Sequence, residues 1–480
     1  MNNISKEFAN LNQIEIDWNS KVKDTFEKYL SIKNLSPAFD SDWKNNGYID
    51  DVANLFAGWA KNILPDSTNI YIQEIKNLTP LIVIDIPKNN YDNDDCVLIY
   101  GHLDKQPPMT GWDENIDPFK ATYVGDKVYG RGSADDGYAI FTAVLSANYL
   151  IENNIPHSRI LILIEASEES GSPHLQEHID YLENNTSTID DISLVICLDS
   201  GCQDYDHLWM TQSLRGLLQV NLSIKVLEKG THSGGAGGIV PSAFHVAREL
   251  LDRICKPGSG EIIIPEFYCE IPDYIHDSYV ESANLLEKEN PFNFSYAPGV
   301  QPLANSIGEQ IIANTFKPAL EIIGINGFPN IENAGNVLLP EITLGLSFRL
   351  PPKVDPQTAC AALVNELNRD RPFNAQISVS VDSMAKGFLA PQPEAWLKRI
   401  CVETSKKFFR NDSQVMGEGG TIPFMSMLGE KYPNAQFMVT GVLGPGSNAH
   451  GPNEFLHLPT AFKVTGCVTE ILQAHGNVRK

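Results

Sequence analysis

From Pro80 to Leu198, short unbroken runs of Val, Ile and Leu alternate with stretches whose apolar residues recur at helical spacing. Leu81–Ile86, Cys96–Tyr100, Arg159–Ala166 and Leu194–Leu198 are apolar on both alternations, as strands covered on two faces must be. Tyr138–Glu152 and Pro173–Leu182 read as helices between them. The pattern predicts an α/β domain, a mainly parallel sheet sandwiched by helices. At Gly216 the period changes to two: Leu218, Val220, Leu222 and Ile224 alternate with Gln219, Asn221, Ser223 and Lys225, which describes a strand with one exposed face. A helix over Pro241–Ile254, strands near Leu320–Ile325 and Ile342–Leu350, a helix over Pro356–Asn368 and a strand over Ala375–Val381 complete a β-α-β-β-α-β order, that of a ferredoxin-like α+β unit. The first pattern then returns, with a helix over Glu394–Phe409, a strand over Gln436–Gly441 and a helix over Pro459–Gln473. The expected organisation is one domain built from residues 1–212 plus 385–480, with a second inserted as residues 213–384. Between Lys256 and Lys317 the pattern predicts only a long irregular insertion.

Length agrees with two domains, since 480 residues exceed the roughly 250–300 that one core organises. Sixty Asp and Glu against 36 Lys and Arg give a formal charge of −24, which argues against a nucleic-acid partner. No run approaches the roughly 18 apolar residues of a membrane helix. Met1–Glu7 has neither a cationic start nor an apolar stretch, and the eight cysteines form no Cys-x-x-Cys pair, so a reduced, cytoplasmic chain is expected.

In a parallel α/β sheet, ligands bind beyond the carboxyl ends of the strands, where loops converge. Those ends carry Gly101-His102-Leu103-Asp104, Ser167-Glu168-Glu169-Ser170 and Asp199-Ser200-Gly201. Asp135-Asp136 precedes a helix, and His450 lies in a late Gly-rich loop. Singly these are weak signals, because His178-Ile179-Asp180 and the doublets Asp50-Asp51, Asp94-Asp95 and Asp190-Asp191 look alike. Gathered from several strand ends, imidazoles and carboxylates form a donor set for zinc, manganese or cobalt, and they outnumber what one catalytic zinc uses. Two divalent ions sharing a carboxylate are the economical expectation; they would polarise a carbonyl and generate hydroxide, with Glu168-Glu169 able to supply a base and a ligand.

These motifs resemble, in order over His102 to His450, the cocatalytic metallopeptidase family that includes carnosinase, cytosolic non-specific dipeptidase, carboxypeptidase G and aminoacylase. The resemblance implies that His102, Asp135, Glu169, Asp199 and His450 bind the two ions, with Asp135 bridging and a cis peptide joining it to Asp136. It implies that Asp104 orients His102, that Glu168 is the general acid/base, and that the inserted domain is a lid and dimerisation unit. On that unit His232 would stabilise the oxyanion, commonly in the partner subunit's active site, and Arg349 would clamp the substrate's terminal carboxylate. Gly419, Gly420 and Thr421 are similar to the family's substrate loop; a phosphate loop is the rival, and it lacks the Gly-Lys-Ser/Thr ending. Asp at 199 is the form of the dipeptidase and aminopeptidase branches. Gly137 departs from the family, which often carries Lys after the doublet. The implied activity is hydrolysis of dipeptides or short peptides by a homodimer, of dipeptidase or carboxypeptidase type, through a metal-bridged hydroxide; the alternative is deacylation of N-acyl amino acids.

Overall fold

The computed structural model describes residues 10–89, 94–186, 189, 191–286, 292, 294 and 296–478. Met1–Glu7 and Asp190 lie outside them. The chain divides into two compact units: Met1–Thr211 with Ala390–Met416 and Met427–Lys480, and Gln212–Leu389 with Gly417–Ser426.

The first unit holds a six-stranded sheet ordered Asn69–Gln73, Leu81–Ile86, Arg159–Glu165, Cys96–His102, Ile192–Cys197, Gln436–Val439. The last four strands pair in parallel, and the first two run antiparallel at one edge. The link from Ile86 to Cys96 is too short for a parallel crossover, so Leu81–Ile86 must run against Cys96–His102. Every residue of Cys96–His102 is buried, which explains its continuous apolar run. Helix Ala139–Glu152 packs against the closing helix Leu458–Val478 and is buried on most of its surface. The amino-terminal helices, among them Lys23–Ser31 and Tyr48–Ile63, add Trp18, Phe26, Tyr29, Phe56 and Trp59 to this core. The ring of Trp59 meets Phe141 edge-on at 4.7 Å.

The second unit is built on a four-stranded antiparallel sheet ordered Ala319–Asn326, Glu341–Leu350, Gly216–Lys225, Gln376–Ala385. In chain order this is 2-3-1-4, so the two central strands are the third and the first in sequence. Burial alternates strictly along Gly216–Lys225, and its covered face packs with helices Ala243–Ile254 and Pro356–Asn368 in one apolar cluster. The insertion expected to be irregular contains helices Asp273–Leu286 and Ile307–Thr315. The second starts with a capping box, Ser306 and Glu309, a Ser-x-x-Glu signal visible in the sequence. Residues 417–426, placed by the sequence reading with 385–480, join this unit instead. Polar bonds hold part of this segment: Thr421 Oγ1 donates to Arg215 O at 2.6 Å, and Arg215 Nε donates to Gly419 O at 3.2 Å.

Among the described residues, no helix is long and apolar enough to cross a membrane. All eight cysteines are free.

Candidate active site

The strand Cys96–His102 delivers His102 at its carboxyl end, fully covered. Gly101 permits this: a Cβ there would lie 2.6 Å from Ala139 Cβ and 2.7 Å from Asp136 Oδ2. His102 Nε2 lies 3.2 Å from Asp135 Oδ1 and 3.8 Å from Asp199 Oδ1. Its Nδ1 faces Asp104, 3.2 Å from the carbonyl and 3.5 Å from Oδ1. Asp104 also accepts the backbone N–H groups of Glu168 and Glu169, each at 3.1 Å. One carboxylate thus fixes the imidazole and the turn that carries the glutamate doublet.

On its other side Asp135 meets the late loop. His450 Nε2 lies 3.1 Å from Asp135 Oδ2 and 3.1 Å from Glu169 Oε2, and Gln106 Nε2 donates to Glu169 Oε2 at 2.7 Å. Two donor groups result, His102–Asp135–Asp199 and Asp135–Glu169–His450; within each, one ligand atom per residue lies within 4.8 Å of the others. Asp135 belongs to both. The peptide Asp135–Asp136 is cis.

Electrostatics follow from packing so many acids together. Burial alone would lower His102, but Asp199, Asp104 and Asp135 raise its pKa well above the ordinary imidazole value. His450 is pushed up to about 11, Asp135 and Glu169 outweighing its burial. Burial raises Asp135, yet the two imidazoles bring it below the usual carboxylate range. Burial and the charge of Asp199 raise Glu168 well above the ordinary glutamate value, and burial with Asp135 lifts Glu169 to about 7. Covered carboxylates gain most from a bound cation, and this set of imidazole nitrogens and carboxylate oxygens fits zinc or manganese.

Several supporting residues escaped the sequence reading. Glu454 is fully buried and accepts four bonds: Arg131 Nη1 at 2.7 Å, and the backbone N–H groups of Gly132 at 3.0 Å, Ala134 at 3.0 Å and Asp135 at 3.2 Å. Arg131 in turn donates to Gly451 O at 2.6 Å, tying the Asp135 turn to the loop of His450. Lys105, also fully buried, donates from Nζ to Tyr29 O at 2.9 Å and Ile32 O at 2.8 Å. Asn34 Nδ2 donates to Leu103 O at 2.6 Å, and the hydroxyls of Ser36 and Ser170 are 2.5 Å apart. The segment from Tyr29 to Ser36 therefore braces both loops. It also accounts for Gly137, where a Cβ would lie 2.1 Å from Tyr29 Cε1 and 2.5 Å from Gly132 O.

The second unit carries the remaining sequence candidates. His232 is exposed, and its Nδ1 accepts Gly234 N–H at 3.1 Å. Arg349 Nη1 donates to Thr421 Oγ1 at 3.1 Å, which brings the strand arginine to the loop of Gly419 and Gly420.

The model of peptidase family M20/M25/M40 matches residues 98–474. A cysteinylglycine-S-conjugate dipeptidase of Corynebacterium striatum is 25% identical over 386 residues, 79% of this chain and 81% of its own. A Cys-Gly metallodipeptidase of Candida albicans is 23% identical over 481 residues, 94% of each chain. The fold is similar to that of human carnosine dipeptidase 1, with a TM-score of 0.73 at 19% identity over 97% of this chain and 99% of that one. It is also similar to that of a metallo-carboxypeptidase of Sulfolobus solfataricus, with a TM-score of 0.77 at 21% identity over 95% and 99%.

Proposed function

The chain belongs to peptidase family M20/M25/M40 and is a metal-dependent peptidase, and we propose that it hydrolyses the peptide bond of dipeptides, the substrate class for which its relatives are named. The observation that carries the site is the sharing of Asp135 by two donor groups, with Glu168 preceding Glu169 on the turn that Asp104 holds. His102 and Asp199 would hold one divalent ion, Glu169 and His450 the other, with Asp135 common to both; zinc fits the donors, with manganese or cobalt as alternatives. When bound, such ions polarise the scissile carbonyl and lower the pKa of water.

Glu168 is then the general base: covered and placed among other acids, it has the raised proton affinity needed to take a proton from water and return it to the leaving amine. Asp104 keeps His102 in orientation and holds the turn of Glu168 by its backbone. To Arg349 we assign the substrate's terminal carboxylate, supported by its link to Thr421 and the adjoining Gly419 and Gly420. To His232 we assign the oxyanion, in the partner subunit's site. The free thiols favour a reducing compartment, the cytoplasm. The edge strand Ala319–Asn326 exposes Ile322, Ile323 and Ile325, which favours a homodimer; a monomer by light scattering would dismiss the role in trans of His232.

Glu168→Gln should lower kcat on a dipeptide by about 10²–10⁴ while zinc binding persists. Activity near that of the unmodified protein would dismiss Glu168 as base. Faster cleavage of N-acyl amino acids than of any dipeptide would move the assignment to deacylation.

A further inference from the structure

Arg215 was not among the residues singled out from sequence, yet it stands beside one that was. Arg349 lies directly across from Leu217 in the sheet, so Arg215, two residues earlier, is its diagonal neighbour on the same face. Such neighbours are roughly 7–8 Å apart, within reach of long side chains. The opposite face of these strands carries Leu218 and Phe348 in the core.

Arg215 is 8% exposed, and its main contacts are with one loop. Its N–H donates to Glu418 O at 3.3 Å, its Nε donates to Gly419 O at 3.2 Å, and its carbonyl accepts Thr421 Oγ1 at 2.6 Å. Thr421 Oγ1 is the atom that accepts Arg349 Nη1. The seat is tight: a Cβ on Gly419 would lie 2.7 Å from Arg215 Nη2 and 2.9 Å from the Asn314 amide.

The charge on this cluster is one-sided. Burial, then the charge of Arg349, lowers Arg215 to about 10, which leaves it cationic at neutral pH, and among the described residues neither guanidinium is paired with a carboxylate. Two neighbouring cations with no counter-charge repel each other until an anion arrives, so the cluster favours a carboxylate over a neutral group of the same shape.

We propose that Arg215 is a positioning residue for the substrate's free terminal carboxylate: it holds the Gly419–Thr421 loop against Arg349 and supplies a second positive charge that discriminates carboxylate from amide. This rests on the reading of Arg349 as the carboxylate clamp.

The test is calorimetric binding of Gly-Leu and Gly-Leu amide to the full chain without added metal, with KM and kcat measured separately under zinc. The acid should bind about tenfold more tightly than the amide. Arg215→Gln should remove most of that difference, raising KM for the acid about tenfold with kcat little changed and amide affinity unmoved, and Arg215→Lys should restore part of it. Equal affinity for acid and amide, or an equal loss of both in Arg215→Gln, overturns the proposal. Should Arg215→Gln fail to fold, Thr421→Val keeps both charges but cuts the link between them; it should weaken acid binding several-fold and spare the amide, and equal effects again overturn it. A chain that binds acid over amide yet cleaves neither would retain this inference and overturn the peptidase reading.

Discussion

Replacing Glu454 by Gln changes one atom and should nonetheless be among the most damaging substitutions in the first unit. The carboxylate is buried, with Arg131 Nη1 and Gly132 N–H on Oε2 and the N–H groups of Ala134 and Asp135 on Oε1. An amide has one acceptor oxygen, so its NH₂ must face one of these donor pairs. Facing Ala134 and Asp135, it orphans two buried N–H groups at about 1–3 kcal/mol each. Facing Arg131, which is 1% exposed, it leaves a buried guanidinium without its partner, at about 3–5 kcal/mol. Either orientation predicts a loss of about 4 kcal/mol, together with a displaced Asp135 and a 10–100-fold weaker metal affinity. All six tryptophans lie in the first unit, so urea unfolding followed by tryptophan fluorescence reports on it even if the two units melt separately. Zinc titration of the folded variant gives the second readout. A loss below about 1 kcal/mol with unchanged zinc affinity would refute the argument, because at least two of the four bonds would then contribute nothing.

Other outcomes follow from the same packing. Glu165 is buried and accepts Tyr100 Oη at 2.6 Å and Ser172 Oγ at 2.8 Å, and burial, with the charge of Asp104, raises it to about 7. The folded state therefore binds a proton that the unfolded chain releases near pH 4.5. Stability from this group is complete below that pH and is lost as pH rises to about 7, by about 3 kcal/mol. Glu165→Gln should flatten the fall between pH 5 and 7 in denaturant titrations; an identical slope in both proteins would dismiss the assignment. Gly137→Ala should prevent folding of the first unit or destabilise it by several kcal/mol, since the new methyl collides with both Tyr29 and Gly132 O. Tyr29→Ala should not rescue it, because the Gly132 carbonyl remains; near-normal stability of either variant in the same assay would disprove the close approach.

Most of the candidate ligand positions were legible because the His or acid ends or follows a strand whose apolar run is unmistakable, or precedes the next helix; His450 was marked only by its Gly-rich loop. His102 ends Cys96–His102, and Glu168 and Asp199 stand just beyond Arg159–Glu165 and Ile192–Cys197, as an α/β sheet demands. Glu454 was not, since a single acid ahead of Phe455-Leu456-His457 has no periodicity and no doublet to mark it. Nor could Gly137 be fully understood from its neighbours, because the closest of the atoms that exclude a side chain belongs to Tyr29, over a hundred positions away. Arg215 falls at the start of an alternating strand, where a polar residue is expected on the open face, and only the loop folded onto it sets it apart.

The support given by Tyr29, Ile32, Asn34 and Ser36 has a practical reach. The match to the family model starts at residue 98, but the acceptors for Lys105 Nζ lie upstream of it. Trimming the gene to the stretch that the family model matches would leave that buried amine without its acceptors and His102 on an unanchored strand tip. The working catalyst is larger than the stretch that the family model matches, and the segment ahead of it holds in place what the matched residues need held.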